Sequence, residues 1–221
     1  MKQTRWLNLL LSFLSCVFLV GLSAQNKGDA KSQAILNKVT SLYQSYSTIK
    51  SSFLITTTSR NGKPLVENGT IWIKAKKFKL DYASQEIFCN GMYTWTYSKE
   101  DMEVTKEDVK IRNNSISPAE IFSLYKKDFK SKYDGPIVRN NKNYDVILLA
   151  PFKKVNYAYV KLEIDKSSKK IQRVIQHFKN GTEIVIEIQN FIPNVAIEDT
   201  FFSWNQSVHK DVALIDLTKK K

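Results

Sequence analysis

Alternation of apolar and polar residues across residues 69–104 constrains the fold of this chain more than any other feature. Residues 69–74, 78–82 and 95–97 place apolar side chains at every second position. This period is typical of β-strands, whose successive side chains point to opposite faces. The dipeptide Asn90-Gly91 interrupts the pattern, and such dipeptides tolerate the positive φ of tight turns. The segment therefore predicts consecutive antiparallel strands.

The alternation continues on both sides of this segment. Phe53 and Ile55 face one way and Leu54 the other, and Asn61-Gly62 predicts a hairpin turn before the next strand. We expect about ten or eleven strands in all. Gly69 has strand-like residues on both sides, which predicts a β-bulge that bends the sheet. The further predicted strands cover residues 65–75, 146–149, 155–164, 171–178 and 182–191.

Two segments have helical signals instead. Residues 30–46 carry an apolar stripe with three- and four-residue spacings, and Ser117-Pro118-Ala119-Glu120 is a capping box with Pro at the first helical position. The sequence predicts an α+β, mainly β fold: a curved antiparallel sheet forming an incomplete, half-open β-barrel, with short helices covering the concave face as a lid. The stripe consists of Ala34, Ile35, Leu36, Val39, Leu42, Tyr43 and Tyr46.

The first 24 residues have the pattern of a secretory signal peptide. Lys2 and Arg5 precede an apolar run over residues 6–22, which ends in Ser23-Ala24. We predict cleavage after Ala24 and a single domain over residues 25–221. A transmembrane anchor is the alternative, since such a run is at the short limit for spanning a bilayer. Cys16 does not end the apolar run, which argues against a lipid-modified cysteine.

The cysteine content indicates the cellular compartment of the protein, and the net charge bears on its partners. Removing residues 1–24 lowers the formal net charge from +13 to +11, because Lys2 and Arg5 are lost. The lysines are scattered along alternating strands, which favours a solvated basic surface over a nucleic-acid site. Cys89 is then the single cysteine, so no disulfide forms within the chain. Export without disulfides fits a bacterial periplasm.

Enzyme signatures are absent from the sequence. His177 and His209 do not have metal-ligand spacing, and no Gly-x-Ser-x-Gly elbow, phosphate-binding loop or dinucleotide fingerprint occurs. Acidic residues within 100–108 alternate with apolar ones, which favours a polar hairpin over a glycosidase pair. The sequence therefore predicts a binding protein with no catalytic residues, metal or cofactor.

The order of these segments resembles the LolA family, the bacterial outer-membrane lipoprotein carriers. The resemblance covers nearly all of the chain after residue 24. Lys76 replaces a family proline, Lys79 replaces an arginine, and Ala75 stands where some carriers have an arginine that latches the lid. The segments are the first helix with residues 49–53, Gly69-x-Ile-Trp-Ile-Lys74, Phe78-Lys-Leu-x-Tyr82, Asn90-Gly91-x-x-x-Trp95-x-Tyr97, Glu103-Val104, the Ser117-Pro118 helix and Ile197-Glu-Asp-x-Phe201.

The resemblance implies a monomeric periplasmic chaperone that carries lipoproteins from the inner to the outer membrane and shields their acyl chains in an apolar cavity. Its implied partners are acylated lipoproteins, an inner-membrane ABC-type exporter, and an outer-membrane acceptor protein or the membrane itself, with no nucleic acid. The alternative is a periplasmic regulatory protein of related fold that senses lipid or lipoprotein.

The candidate lining of the acyl-chain cavity comes from the predicted strands and the Ser117-Pro118 helix. For each residue, ordinary hydrophobic core is the competing interpretation. Trp72 is opposite in phase to its neighbours, which predicts either that it faces the first helix or the lid, or that a bulge at Gly69 shifts the register. The candidate lining residues are Phe53, Ile55, Ile71, Ile73, Phe78, Leu80, Tyr82, Trp95, Ile121, Phe122 and Leu124.

Overall fold

A computed structural model of the chain describes residues 28–109 and 129–218. In that part of the chain, one α-helix is followed by twelve strands, and a short 3-10 helix, Asp199–Phe202, precedes the last strand. The elements are α1 Ala30–Gln44, β1 Ile49–Thr58, β2 Leu65–Lys74, β3 Lys77–Tyr82, β4 Gln85–Cys89, β5 Tyr93–Ser98, β6 Glu103–Asp108, β7 Phe129–Arg139, β8 Lys142–Pro151, β9 Tyr157–Asp165, β10 Ile171–Phe178, β11 Glu183–Pro193 and β12 Ala213–Asp216.

The strands form a single sheet in the order β12-β6-β5-β4-β3-β2-β1-β11-β10-β9-β8-β7. Neighbouring strands are antiparallel except β12, which pairs with β6 in parallel. Because β12 and β7 are separate edges, the curved sheet stays open and does not close into a barrel. The predicted fold class is confirmed. The predicted signal peptide and the Ser117-Pro118 helix lie outside the described residues.

Cross-strand register defines an inner and an outer face of the sheet. Ile49 pairs with Ile73, Ile73 with Phe78, and Phe78 with Cys89, so these side chains share one face across four strands. We call this the inner face. It carries the larger hydrophobic cluster, to which α1 contributes Leu36.

Helix α1 is fixed to the inner face by a polar clamp at its N-terminus. Asp29 caps the helix by accepting a hydrogen bond from Ser32 N at 2.8 Å and also accepts one from Tyr133 N of β7 at 2.7 Å. Burial alone would raise the pKa of Asp29, but these hydrogen bonds outweigh it and lower the pKa. The Ser32 and Ser131 hydroxyls lie 2.8 Å apart. The clamp thus joins the start of α1 to the edge strand β7.

The C-terminal segment covers part of the outer face. Trp204 packs edge-on against Phe88 at 5.7 Å between ring centroids, and Phe201 contacts Trp72 at 5.4 Å. Asp199 accepts ion pairs from Lys74 at 2.9 Å and Lys77 at 2.6 Å. A second hydrophobic cluster results, made of Phe88, Trp95, Val104, Trp204 and Val212 with Tyr93 and Tyr97 beside it.

The irregularities of the sheet do not lie at Gly69, where the sequence predicted a bulge. The β1–β2 and β2–β3 registers run through Gly69 without a shift, so the bulge predicted at Gly69 is wrong. The shift lies instead between Ser52 and Phe53 where β1 meets β11. A second irregularity lies at Gly135. It lies within β7 at a register shift, with a φ of +104° that favours glycine.

Asp165 stabilises the β9–β10 turn, and its effect depends on pH. Its Oδ1 accepts hydrogen bonds from Ser167 Oγ at 2.6 Å and Ser168 N at 2.8 Å, which lower the pKa of Asp165 from 3.8 to about 2. The lowered pKa contributes stability above pH 4, and this contribution is lost as the pH falls through about 2.

We expect Asp165→Asn to lower the free energy of unfolding by about 2 kcal/mol at pH 7, because it removes the charge and keeps an acceptor. The difference from the parent protein should shrink between pH 4 and pH 2, the interval that the two pKa values bracket. Denaturant titrations at several pH values measure it. A difference that stays constant with pH would mean that the charge of Asp165 contributes nothing.

Candidate functional site

Seven of the predicted lining residues come together on the inner face. Registers between β1, β2 and β3 align Ile49 with Ile73, Ser51 with Ile71, and Phe53 with Gly69. They continue from Ile71 to Leu80 and from Gly69 to Tyr82. The seven residues, all within or against the larger cluster, are Phe53, Ile55, Ile71, Ile73, Phe78, Leu80 and Tyr82.

The inner face has a buried part and a half-buried part. Ile73 and Phe78 belong to the buried core, and α1 covers the neighbouring surface through Leu36 and Val39. Other apolar side chains pack against this core and remain partly exposed. We call six of them the inner patch: Ile55, Leu80, Ile87, Val174, Ile186 and Ile188.

Four residues of the inner patch were missed by the sequence analysis: Ile87, Val174, Ile186 and Ile188. Val174 pairs with Ile186, which in turn pairs with Ile55, so β10 and β11 extend the surface that β1 begins. Their signal was present in the sequence, because isoleucines alternate at 184, 186 and 188. The alternation predicted the strand. It did not reveal that β11 lies next to β1, since that pairing joins residues far apart in the chain.

Trp95 does not lie with the other candidates. Cys89 pairs with Thr94 on the inner face, whereas Trp95 pairs with Phe88 on the outer face and belongs to the cluster beneath Trp204. The prediction that Trp95 shares a surface with Phe78 and Leu80 is therefore corrected. The remaining candidates, Ile121, Phe122 and Leu124, lie outside the described residues.

Trp72 follows neither predicted alternative. It points to the outer face without any register shift at Gly69, and its contact is Phe201 of the C-terminal 3-10 helix. Lys50 and Lys79 place their ammonium groups 5.7 Å and 6.0 Å from its ring centroid. Trp72 therefore anchors the C-terminal segment.

A single hydrogen-bonded pair of side chains gives the inner patch a polar border at β2 and β3. The Tyr82 hydroxyl donates to Glu67 Oε2 at 2.7 Å. Burial, together with the neighbouring Glu67 carboxylate, raises the pKa of Tyr82 to about 12. Tyr82 therefore stays neutral at physiological pH. Beyond this pair, the inner patch consists of aliphatic side chains, which suit hydrocarbon better than a polar ligand.

A hollow of about 300 Å³ lies near Gly69 but belongs to the outer side. Ser52 pairs with Thr70 and Thr70 with Asp81, so these three polar side chains share the outer face. The hollow is polar and separate from the inner patch. Its lining is Ser52, Phe53, Asn68, Gly69, Thr70, Asp81, Ala83 and Gln189.

The described residues show neither a metal site nor a membrane-spanning helix. Across 28–109 and 129–218, no group of three or more His, Cys, Asp or Glu side chains is arranged to hold a metal ion. Over the same residues, no helix has the length and apolar character needed to cross a membrane.

Comparisons with known proteins identify the fold. Neither protein-family models nor curated protein sequences give a match. Among solved structures, an uncharacterized conserved protein from Thermus thermophilus has a TM-score of 0.59 at 10% identity, covering 84% of this chain and 99% of that one. A LolA superfamily protein from Nitrosomonas europaea has a TM-score of 0.45 at 14% identity, covering 78% and 97%.

A third solved structure is the complex of MucA and MucB from Pseudomonas aeruginosa, with a TM-score of 0.43 at 12% identity over 80% of this chain and 62% of that one. At 10% identity, the likeness to the Thermus thermophilus protein shows that this chain shares its fold and nothing more.

Proposed function

We propose that this protein is a periplasmic carrier that binds the acyl chains of lipoproteins on its inner face and carries them from the inner to the outer membrane. The observation that supports this most is the inner patch. Ile55, Leu80 and Ile186 lie on one face of an open sheet and remain only partly buried. A core residue that did nothing more than stabilise the fold would usually be covered further.

Acyl chains are the ligand that fits such a surface. Each buried methylene contributes about 0.8 kcal/mol to membrane anchoring, so a lipoprotein with two or three chains does not leave a bilayer unaided at useful rates. A carrier must offer an apolar surface of similar affinity. The inner patch offers aliphatic contact, with Tyr82 and Glu67 as a polar border. Contact of this kind is non-directional, so it does not require one fixed geometry of the bound chain.

Transfer between two membranes requires a donor and an acceptor of the lipoprotein. An inner-membrane ABC-type exporter would supply acylated lipoproteins, and an outer-membrane acceptor protein or the membrane itself would receive them. One copy of the chain would hold one cargo molecule. Residues 1–24 would direct export to the periplasm and be removed there.

The test is release of cargo from membranes. The chain without residues 1–24 is incubated with spheroplasts that carry a tagged triacylated lipoprotein and its ATP-dependent exporter, and soluble cargo is measured. Release of the lipoprotein in a one-to-one complex supports the proposal. Binding of the lipoprotein without release would overturn it and favour the lipoprotein-sensing alternative.

A matched pair of variants locates the binding surface. We expect Ile186→Glu to reduce cargo release about tenfold, because a carboxylate on the inner patch disfavours hydrocarbon contact. Val185→Glu should leave release unchanged, since Val185 pairs with Ile175 and Thr56 on the outer face. Both side chains are partly buried and adjacent in β11. Thermal melts show whether each variant folds, and equal loss of release in two folded variants would contradict the assignment of the site to the inner patch.

A further inference from the structure

Three turns form a continuous rim at one end of the sheet. β1 ends and β11 begins at this end, since Thr58 pairs with Glu183. An added Cβ at Gly181 would lie 3.1 Å from the Arg60 side chain, so the β1–β2 and β10–β11 turns touch. Lys179 N donates to Asn156 O at 3.0 Å, which joins the β8–β9 loop. We call residues 59–66, 152–156 and 179–182 the basic rim.

The basic rim combines positive charge with exposed apolar side chains. Its turns contain five basic residues and no acidic residue. Leu65 and Val66, at the start of β2, are exposed to 59% and 54%, and Phe152 in the β8–β9 loop is exposed to 52%. Exposed apolar side chains that are grouped in one rim, and not scattered singly, often mark an interaction surface. The basic residues are Arg60, Lys63, Lys153, Lys154 and Lys179, all of them exposed.

The opposite end of the sheet is also basic, but basic residues there form ion pairs within the protein. Arg139 forms an ion pair with Glu163 at 2.6 Å, and Lys166 approaches Asp145 at 3.6 Å. Within the described part of the chain, by contrast, Arg60, Lys63, Lys154 and Lys179 take part in no ion pair. Their charge is therefore available to a partner.

Two carboxylates follow the turns of the basic rim in sequence, and each already has a neighbour within the sheet. Glu67 follows the β1–β2 turn and accepts the Tyr82 hydroxyl. Glu183 begins β11 and lies 3.8 Å from His177 Nδ1. Both acidic groups face neighbours within the sheet. The turns themselves keep a positive excess at the surface.

We propose that the basic rim docks this protein on the surface of a bilayer containing anionic phospholipids. Basic residues interleaved with exposed apolar ones are the pattern of interfacial membrane binding, in which the apolar side chains enter the headgroup boundary and the lysines contact anionic lipids. An acidic protein would match the charge but would leave Leu65, Val66 and Phe152 in water. The apolar residues therefore favour a membrane as the occupant.

Aromatic side chains connect the basic rim to the inner face. Phe178 packs edge-on against Tyr157 at 6.4 Å, and Tyr157 stacks on Phe129 at 6.2 Å. Phe129 and Tyr157 belong to the larger cluster. Docking at this rim would therefore bring the bilayer next to the apolar interior. The inference does not require the carrier function, since it concerns binding to lipid without cargo.

Vesicle flotation tests the inference with the chain lacking residues 1–24, which retains every described residue. We expect binding to vesicles of phosphatidylethanolamine and phosphatidylglycerol, and much weaker binding to phosphatidylcholine vesicles. The double variant Lys63→Gln/Lys154→Gln should lower the partition coefficient about 25-fold, at about fivefold for each lysine. Phe152→Ala should lower it about fivefold without changing the net charge.

The control removes the same charge from the opposite end of the sheet. Lys76→Gln/Lys142→Gln replaces two exposed lysines of that end and should change the partition coefficient less than twofold. Equal losses in the two double variants would overturn the inference, because attraction would then depend on overall charge. No effect of Phe152→Ala would also overturn it and would favour an acidic protein as the partner. Cargo release by these variants is measured separately, so failure of vesicle binding and failure of the carrier function give different results.

Discussion

Gly69→Ala is expected to destabilise the protein by about 3 kcal/mol. A Cβ at Gly69 would lie 2.3 Å from Cζ of Phe53, 2.4 Å from its Cε2, and 3.0 Å from the carbonyl oxygen of Asp81. Phe53 is 6% exposed and surrounded by core, so its ring has little room to move away. Denaturant titration gives the free energy of unfolding. If strand propensity alone mattered, the same substitution would stabilise by up to about 1 kcal/mol.

A double-mutant cycle separates the clash from other effects of the substitution. Phe53→Leu shortens the side chain that crosses Gly69 and should cost about 1–2 kcal/mol alone through lost packing. In the Gly69→Ala/Phe53→Leu protein the added methyl has space, so the two losses should not add. We expect a coupling free energy of about 1–2 kcal/mol. Additive losses would show that the backbone at Gly69, and not the ring of Phe53, requires glycine.

Local periodicity explains how much of the fold could be predicted. Strands with a strict period of two, such as β2 and β11, were located within a few residues, and the turns at Asn61-Gly62 and Asn180-Gly181 are where the sequence places them. β7 was missed because Lys130 and Pro136 lower its strand propensity. Pro is tolerated there because β7 is a sheet edge. Edge position is a tertiary property that a local pattern does not contain.

The misplacement of Trp95 has a similar cause. Both faces of β5 are buried in the structure, since Thr94 on one face is 2% exposed and Trp95 on the other is 8% exposed. Which face is the inner one depends on the partner strand β4, and the cover over Trp95 comes from Trp204, more than a hundred residues later. Such long-range cover was invisible to the sequence analysis. The same holds for β12, a four-residue strand that pairs in parallel with β6.

The outer face of the sheet contributes stability, and the inner face carries the proposed binding surface. On the outer face, Trp204 and Asp199 fasten the C-terminal segment through ring contacts and ion pairs. On the inner face, α1 covers one part while Ile55, Leu80 and Ile186 remain partly exposed. A protein that binds hydrocarbon reversibly needs apolar surface that is not already covered by its own core. The outer cluster supplies stability without using the inner patch.

Leu36→Ala is expected to lower the free energy of unfolding by about 3 kcal/mol. Leu36 is fully buried, and with Val39 and Tyr43 it forms the stripe by which α1 packs on the sheet. Tyr43 adds a directional contact, since its hydroxyl accepts a hydrogen bond from Ile171 N at 3.2 Å and its ring meets Phe191 at 5.5 Å. The substitution leaves a cavity between helix and sheet, which denaturant titration would register.

Leu42→Ala is the matched control on the same helix. Leu42 is only half-buried and lies outside the larger cluster, so it should cost less than about 1.5 kcal/mol with the same change in helix propensity. We also expect Leu36→Ala, but not Leu42→Ala, to increase the fluorescence of an apolar dye at low denaturant, because loosening α1 uncovers more of the inner face. Equal losses of stability in the two variants would mean that the Leu36 stripe does not fix α1. Unequal losses without extra dye binding would mean that α1 stabilises the sheet without limiting access to its apolar surface.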